Sequence, residues 1–354
     1  MKKSTLIVIT LIIGAVLFAF AFGQVDWGEI RMALMLFPLK GLLSIFAINF
    51  LAIFLVGVYR WQIILRAHGC RVSFLKVLRA KLAGYTFSYV TPSALIAGEP
   101  VRAYMIKEEG CGWEKASASV IIDQLIYLAV IFFVDMCGFL LLAEMFSLPA
   151  DVVYGFIAVS LATIFVFYVF FKKTLNRRDG EHAFFTAVVY KIGLARVGYV
   201  RSKLPSLERT EKIIEGFFRE DQKTFVGVVA LAFVDVFLNI WAVMATSHYL
   251  GYDLGFLNSL GVFSLWSLAN LVPIPGALGS SELALAFTFS LLGIGRHTGL
   301  VFSLIFRAIN ITLCLLGVVA FLQFAFKTAS KSFSVDAPPL LMTLHRMFAR
   351  RLRK

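Results

Sequence analysis

Two short motifs place residues suited to binding a charged ligand inside strongly apolar surroundings. The first runs over residues 91–102 and contains Pro92, Gly98, Glu99 and Arg102. A guanidinium binds phosphate oxygens in a forked geometry, and free N–H groups at the start of a helix also attract anions. Glu99 and Arg102 are three residues apart and share one helical face, where Glu99 can take up a proton, bind a cationic headgroup or hold Arg102 in place.

The second motif repeats the first. The pattern Pro-x-Ala-Leu-x-x-x-Glu runs from Pro92 to Glu99 and again from Pro275 to Glu282, an offset of 183 residues. Proline and glycine interrupt helices, so we expect helix breaks at both places. The predicted hairpin breakers are Pro92, Gly98, Pro273, Pro275 and Gly276.

Further polar residues accompany each copy of the pattern. Asp123 follows Glu99 by 24 residues, and Arg307 follows Glu282 by 25 residues. A charge at the centre of a membrane helix costs about 2.5–3.5 kcal/mol on insertion scales, so such residues need partners or water. We therefore predict matched polar clusters that face one another across the repeat axis and bind a substrate. The predicted substrate-binding residues are Glu99, Arg102, Asp123, Asp235, Asn239, Asn270, Glu282 and Arg307, with Gln124 and Asn310 as further candidates.

These residues also have simpler interpretations. Glu99 and Arg102 can form a structural pair that only stabilises the hairpin, and Asp123 or Arg307 can be plain counter-ions. The prolines and glycines are predicted to break the backbone rather than contact a ligand. Asp135 lies in the same apolar run as Asp123, and no partner is predicted for it.

The composition identifies a membrane protein. Of the 354 residues, 60% are hydrophobic and only 16% are charged. The mean hydropathy is +0.85. Uncharged runs at residues 4–25, 41–59 and 152–171 are each long enough to cross about 30 Å of hydrocarbon, which takes roughly 20 helical residues. We predict an all-α polytopic protein.

Six transmembrane helices follow from these runs. Their predicted ranges are 5–23, 41–59, 116–143, 152–171, 225–250 and 298–326. The first is expected to be retained, because its apolar core is longer than that of a signal peptide. Residues 60–81 carry six basic residues, beginning with Arg60 and ending with Lys81, and no acid. The positive-inside rule places this segment, and both termini, in the cytoplasm.

Two shorter apolar stretches are predicted to be re-entrant hairpins. Residues 98–106 rise only about 14 Å as a helix, roughly half of the hydrocarbon thickness, so residues 74–106 must return to the cytoplasmic side. Because the C-terminal tail is predicted to be cytoplasmic, the last helix must begin on the external side. Residues 254–295, which precede it, must therefore enter and leave the membrane on the external side. Each half of this second stretch has about 19 residues, so two complete spans joined by a tight turn are the alternative.

The chain thus consists of helix, helix, hairpin and helix, twice and in opposite orientations. This is an inverted 4+4 repeat, an architecture common in transporters, whose binding sites lie at broken helices near the midplane. We predict a first membrane repeat at 1–171, a cytoplasmic linker with a surface helix around 207–220 at 172–223, a second repeat at 224–326 and a basic cytoplasmic tail at 327–354. Within the tail, residues 338–354 resemble an amphipathic surface helix.

Other classes of protein are disfavoured. The formal charge of +13 is spread over loops between apolar runs, so we expect no nucleic-acid partner. The four cysteines have no paired spacing and the histidines are scattered, so neither a disulfide framework nor a metal site is expected, and no cofactor. Trp61 and Trp113 are predicted to be anchors at the membrane interface.

Three stretches carry a family resemblance: Thr-Pro at 91–92, Gly-Glu-Pro-Val-Arg-Ala-Tyr at 98–104, and Val-Pro-Ile-Pro-Gly-Ala-Leu-Gly at 272–279 followed by Glu282. They resemble the flippase-like family formed by the transmembrane region of lysylphosphatidylglycerol synthases and their stand-alone relatives. The resemblance implies movement of lipid headgroups between leaflets. Two departures stand out: only about 28 residues follow Phe326, and Ala97-Gly98 replaces a doubled glycine. The first leaves lysyl transfer unsupported.

These observations lead to one main hypothesis and two alternatives. The main hypothesis is an inner-membrane flippase that moves a phospholipid or polyprenyl-phosphate lipid by alternating access around a charged midplane site. The first alternative is a membrane-embedded transferase with Glu99 or Asp123 as base, against which the sequence offers neither a nucleophile–base pair nor a donor-binding loop. The second is a membrane scaffold for a separate soluble synthase.

Overall fold

A computed structural model describes residues 3–23, 26–92, 97–146, 150–175 and 183–336. These residues form an all-helical protein without strands. The helices are α1 (Lys3–Phe22), α2 (Trp27–Leu36), α3 (Leu39–Phe50), α4 (Gly57–Ala67), α5 (Phe74–Val90), α6 (Glu99–Lys107), α7 (Trp113–Phe146), α8 (Ala150–Leu175), α9 (Phe184–Lys191), α10 (Gly198–Glu220), α11 (Gln222–Tyr249), α12 (Phe256–Asn270), α13 (Ser280–Leu291) and α14 (Arg296–Asp336).

Five helices are long and apolar enough to cross a membrane. They cover Leu39–Ala67, Trp113–Phe146, Val153–Thr174, Gln222–Tyr249 and Arg296–Thr328. The first combines α3, a π-helical turn at Leu51–Val56 and α4. A sixth span results if α1 and α2, which meet at 90°, count as one bent span. The predicted polytopic helical class is confirmed.

Two segments predicted to connect membrane helices differ from the sequence prediction. Residues 24–40 were predicted to be a loop, but α2 occupies most of this segment. Its start is fixed by Asp26, whose side chain accepts a 2.7 Å hydrogen bond from Gly28 N, a typical helix cap. The surface helix predicted around 207–220 is also longer, because α10 begins at Gly198 and continues through Pro205.

The first hairpin consists of α5 and α6, which cross at two glycines. A methyl group on Gly98 would overlap the backbone carbonyl of Gly84, and one on Gly84 would overlap the Arg102 side chain. Gly98 N donates a 2.9 Å hydrogen bond to Ser88 Oγ. The absence of a Cβ therefore allows the two backbones to touch, as small residues do between membrane helices.

A disulfide closes the base of the first hairpin, so the expectation of unpaired cysteines was wrong. Cys70 precedes α5, Cys111 follows α6, and their Cα atoms are 5.4 Å apart. The spacing of 41 residues in the sequence did not indicate this pair, because the two cysteines meet only when α6 returns antiparallel to α5. The bridge also shows that the chain enters and leaves this hairpin at the same end.

The second hairpin consists of α12 and α13. Helices of 15 and 12 residues rise about 22 and 18 Å, which is short of the roughly 30 Å of hydrocarbon. Of the two predicted alternatives, these lengths favour re-entry over two complete spans. The turn between them has left-handed backbone at Gly276 (φ 56°) and Ala277 (φ 49°), so the predicted breakers Pro275 and Gly276 do lie at the break.

The hairpins pack reciprocally on the two halves of the chain. Helix α5 of the first hairpin packs on α14, and α12 of the second hairpin packs on α7. This exchange is consistent with an inverted repeat. The repeat, the side of the termini and the domain bounds remain predictions. Two predicted features lie outside the described residues: the tip of the first hairpin at 93–96 and the tail helix at 338–354.

Candidate functional site

Six charged side chains meet between the long helices and form what we call the central charge cluster. They come from five different helices: α4, α5, α6, α7 and α11. The members of the cluster are Arg60, Lys81, Glu99, Arg102, Asp123 and Asp235. Three positive and three negative groups balance one another, as burial in a membrane protein demands.

Asp123 is the centre of this cluster. Its Oδ1 accepts a 2.8 Å hydrogen bond from Arg60 Nε, and its Oδ2 accepts one of 2.6 Å from Arg102 Nη2. Arg60 Nη1 reaches Asp235 Oδ2 at 3.0 Å, and Arg102 Nη1 reaches Glu99 Oε2 at 2.7 Å. The chain of alternating charges joins α11 to α6 through α4 and α7. The predicted contact between Glu99 and Arg102 is present.

The Arg102 guanidinium rests on an aromatic ring. Its central carbon lies 4.2 Å from the centroid of the Trp61 ring, a cation–π contact. Trp61 is fully buried and donates a 3.1 Å hydrogen bond from Nε1 to Ser119 Oγ. The prediction that Trp61 is an interfacial anchor was therefore wrong, because α4 continues past it to Ala67. Trp113, by contrast, is exposed.

A cavity of about 230 Å³ opens beside the central charge cluster. Besides the six charged residues, polar side chains of both chain halves line it: Asn49, Tyr85, Ser88, Tyr89, Gln124, Tyr127, Asn239, Asn270 and Asn310. The side chains of Arg60 and Asp123 are at most 2% exposed, whereas those of Glu99 and Lys81 are 17% and 11% exposed. Glu99 and Lys81 are therefore the charges that a ligand entering the cavity meets first.

Lys81 is the least engaged cation of the cluster. Among the described residues its one ion pair is with Asp123 Oδ2, at 3.8 Å, which is too long for a hydrogen bond. The Nε atom of Arg102 also has no hydrogen-bond partner among the described residues. Both groups retain donor capacity for an anionic ligand.

A second ion pair lies in the other hairpin. Arg307 of α14 donates from Nε to Glu282 Oε1 at 2.8 Å, and its Nη2 contacts the same oxygen. Glu282 Oε2 accepts hydrogen bonds from Gly279 N at 2.7 Å and from Ser281 Oγ at 3.1 Å. Glu282 thus caps the start of α13 and ties that helix to α14.

Two tyrosines of α5 connect the second ion pair with the cavity. Arg307 Nη1 donates to Tyr89 Oη at 3.4 Å, and Tyr85 Oη donates to Asn310 Oδ1 at 3.0 Å. Both tyrosines and Asn310 line the cavity. Helices from the two halves of the chain are therefore joined by polar contacts at the cavity wall.

The structure brings most of the predicted site residues together. Six of the eight line the cavity: Glu99, Arg102, Asp123, Asp235, Asn239 and Asn270. The other two, Glu282 and Arg307, form the neighbouring pair behind Tyr89. The further candidates Gln124 and Asn310 also line the cavity.

The sequence analysis did not predict two members of the cluster, Arg60 and Lys81, and assigned them instead to a cytoplasmic segment. Arg60 is buried inside α4, and Lys81 lies inside α5. One signal could have found them. Asp123 and Asp235 lie in apolar helices, and the prediction gave neither a cation within hydrogen-bond reach. Buried carboxylates without enough cations imply that nearby basic residues are buried as well.

A larger depression of about 740 Å³ surrounds the disulfide. Its basic lining residues, Arg71, Lys115, Arg209 and Lys212, are exposed. One of its acids, Glu109, lies 2.6 Å from Lys76 Nζ. Burial raises the pKa of Glu109, but the hydrogen bond from Lys76 and the charge of Lys327 outweigh it and hold the pKa below its ordinary value. Solvated charges bind weakly, so the central cavity is the better candidate.

The acids of the cavity are paired with cations. Glu99 and Asp123, the predicted bases of the transferase alternative, both form ion pairs with arginines. The described residues contain no group of three or more His, Cys, Asp or Glu side chains that could hold a metal ion. Because its lining contains both cations and anions, the cavity can contact a phosphate group and a positively charged group.

Comparison with known proteins agrees with this architecture. Residues 7–317 match the family described as the lysylphosphatidylglycerol synthase TM region. A UPF0104 membrane protein of Methanothermobacter thermautotrophicus is 25% identical over 91% of this chain and 97% of its own length. Another, from Pyrococcus horikoshii, is 22% identical over 72% of this chain and 78% of its own. The chain is a polytopic membrane protein that belongs to the family of the lysylphosphatidylglycerol synthase transmembrane region.

Proposed function

We propose that this protein moves a phosphate-containing lipid headgroup between the two leaflets of the membrane. The observation that carries the proposal is the central cavity, where three cationic and three anionic side chains are buried among long apolar helices. Burying six charges in a membrane protein is costly, and such residues commonly mark a substrate pathway. The lipid-related family supports the same substrate class.

The phosphate binds between Lys81 and Arg102 in this proposal. Lys81 has no close ion pair among the described residues, and Arg102 Nε is unpartnered there. Glu99, which is partly exposed on the same hairpin, faces any cationic group of the headgroup. A zwitterionic or aminoacylated phospholipid would thus use both signs of charge, whereas a polyprenyl phosphate would use the cations alone.

The size of the cavity limits what enters it. Cavities that enclose a drug-sized ligand have volumes of about 300–1,000 Å³, and this one has about 230 Å³. A headgroup fits, while the acyl chains remain outside in the lipid. Translocation then requires the hairpins and long helices to exchange their packing, so that the cavity faces first one leaflet and then the other.

Lys81 offers the sharpest test, since its removal breaks no close ion pair. We would reconstitute the purified protein in liposomes and measure the movement of labelled anionic, zwitterionic and polyprenyl-phosphate lipids. Lys81→Gln should slow translocation at least about tenfold, because a charge-assisted contact is worth roughly 1.5–3 kcal/mol. Lys76→Gln is the matched control, since this exposed lysine lies on the same helix outside the cavity. Wild-type movement no faster than in protein-free liposomes would refute the proposal.

The place of action and the partner belong to the same proposal. Basic residues concentrate in the loops predicted to be cytoplasmic, which suits an inner (plasma) membrane protein. The matching family takes its description from a synthase, so a separate soluble synthase that delivers its lipid product to the cavity is a possible partner. Loss of co-purification with such a synthase after Lys81→Gln would point to cavity-dependent delivery.

A further inference from the structure

One membrane-buried acid differs from all the others in the described part of the chain. Glu99, Asp123, Asp235 and Glu282 each form an ion pair with an arginine. Asp135, on α7, is only 2% exposed and forms no ion pair with a described residue. Nothing in the proposed binding mode uses it.

The contacts of Asp135 are few and polar. Its Oδ2 accepts a 2.8 Å hydrogen bond from Ser267 Oγ of α12, and its Oδ1 has no partner among the described residues. Helix α12, which packs on this part of α7, carries no charged or titratable side chain. On α7 itself the nearest such residues in sequence are Tyr127, Cys137 and Glu144, with Asp123 further along. The neighbouring helices carry Lys223, Asp235, His248 and Tyr249 on α11 and Asp151, Tyr154, Tyr168, Lys172 and Lys173 on α8. None of them pairs with Asp135.

The surroundings of Asp135 leave little room for an ion. One turn away, a methyl group on Gly138 would overlap the Ser264 hydroxyl of α12, so the two helices are in close contact. The central cavity does not include Asp135 in its wall, and neither does the apolar groove between α7, α11 and α12. One carboxyl and one hydroxyl are also too few ligands for a metal cation, which takes about six or more oxygens.

We propose that Asp135 is a proton-binding site that controls the packing of the second hairpin on α7. With a proton on Oδ1 the side chain is neutral and tolerates the dry contact with α12. Release of that proton to water breaks the O–H bond and leaves a carboxylate that needs hydration. The charged form therefore favours separation of α12 from α7. If the proposed lipid movement holds, on which this second step rests, the proton is the coupling ion.

Infrared spectroscopy tests the proton directly and without reference to transport. In reconstituted protein at neutral pH, the carbonyl stretch of a protonated carboxyl should be present in the wild type and lost in Asp135→Asn. The matched control is Glu144→Gln, an exposed acid on the same helix, which should keep the signal. Ser267→Ala should shift the band, because it removes the hydrogen bond to Oδ2. An identical protonated-carboxyl signal in wild type and Asp135→Asn, with no shift in Ser267→Ala, would overturn the proposal.

A pH gradient across the liposome membrane tests the coupling. The gradient should change the rate of lipid movement by the wild type and by Glu144→Gln, and this response should be lost in Asp135→Asn. An equal response in all three proteins would overturn the coupling. If no protein moves lipid at all, the proposed function fails, whereas the infrared result still decides whether Asp135 holds a proton.

Discussion

Arg307 donates a 3.4 Å hydrogen bond to the hydroxyl of Tyr89, and this contact joins two halves of the chain that are 218 residues apart. Tyr89 lines the central cavity, while Arg307 holds Glu282 at the start of α13. A movement of the second hairpin therefore reaches the cavity wall through Arg307, in addition to Asn270 of α12, which lines the cavity itself.

The ion pair between Glu282 and Arg307 should be strongly coupled. Arg307→Met leaves the fully buried Glu282 carboxylate without its partner, which should cost about 3–5 kcal/mol of unfolding free energy. Adding Glu282→Gln should recover part of that loss, because the uncompensated charge is gone. A double-mutant cycle by denaturant unfolding measures this coupling. Arg219→Met, which removes an exposed pair on α10, is the control, and additive losses would contradict the prediction.

The crossing of α5 and α6 should not tolerate a side chain at Gly98. In Gly98→Ala the new methyl group would overlap the backbone carbonyl of Gly84, and overpacking of this kind costs about 1–3 kcal/mol. We expect a lower midpoint of thermal unfolding and a separated hairpin. Gly155→Ala is the matched control, since a Cβ at this position of α8 would meet no described atom beyond its own helix backbone and chain neighbours within 4 Å. Equal midpoints for both variants would show that the hairpin adapts.

The disulfide should stabilise the first hairpin. It closes a loop of 41 residues, which corresponds to about 4 kcal/mol in the chain-entropy account of cross-links. Cys70→Ser, or reduction of the wild type, should therefore lower the unfolding free energy by up to that amount. Cys137→Ser removes a free cysteine instead and should have little effect. Alkylation and mass spectrometry verify the state of each cysteine, and an unchanged stability on reduction would refute the prediction.

The side of the membrane that holds the disulfide can be measured separately. The depression around it includes Arg209 and Lys212 of α10, so it lies on the side of the linker that the sequence places in the cytoplasm. Disulfides are rare there outside hyperthermophiles. A membrane-impermeant thiol reagent should label Asp253→Cys in intact cells but Glu208→Cys only after permeabilisation. The reverse result would invert the topology and put the disulfide on the outer face.

His68 should make stability depend on pH. It follows α4, and its buried Nε2 has no hydrogen-bond partner among the described residues. Burial, together with the charge of Lys115, lowers its pKa from 6.5 to about 4. Between those values the unfolded chain binds the proton and the native protein does not, so stability should fall as the pH decreases from about 6.5 to about 4.

The variant His68→Gln should remove this part of the pH dependence. Unfolding free energies would be compared with those of the wild type across the same pH range. Between pH 6.5 and 4 the wild type should lose more unfolding free energy than the variant. Below pH 4, His68 should cause no further loss. Parallel curves for the two proteins would contradict a neutral His68 with a buried Nε2.

The sequence by itself determined the class of the protein and predicted polar residues that the structure brings close together. Apolar runs of about 20 residues predict spanning helices, because the hydrocarbon fixes their length. The repeated Pro-x-Ala-Leu-x-x-x-Glu pattern indicated both hairpins. Of the eight substrate-binding residues predicted from the polar positions, six line the cavity. Each of these conclusions depends on local patterns alone.

Only the tertiary structure decided which charges are partners. Arg60 and Lys81 have the local sequence of loop residues, yet the extension of α4 and the return of α5 bury them against Asp123. The Cys70–Cys111 bridge and the burial of Trp61 under Arg102 arise in the same way. Likewise, Asp135 differs from the other membrane-buried acids because the helices packed around it place a serine, and no cation, within hydrogen-bond distance. Linear spacing cannot show these contacts, because they depend on how distant helices pack.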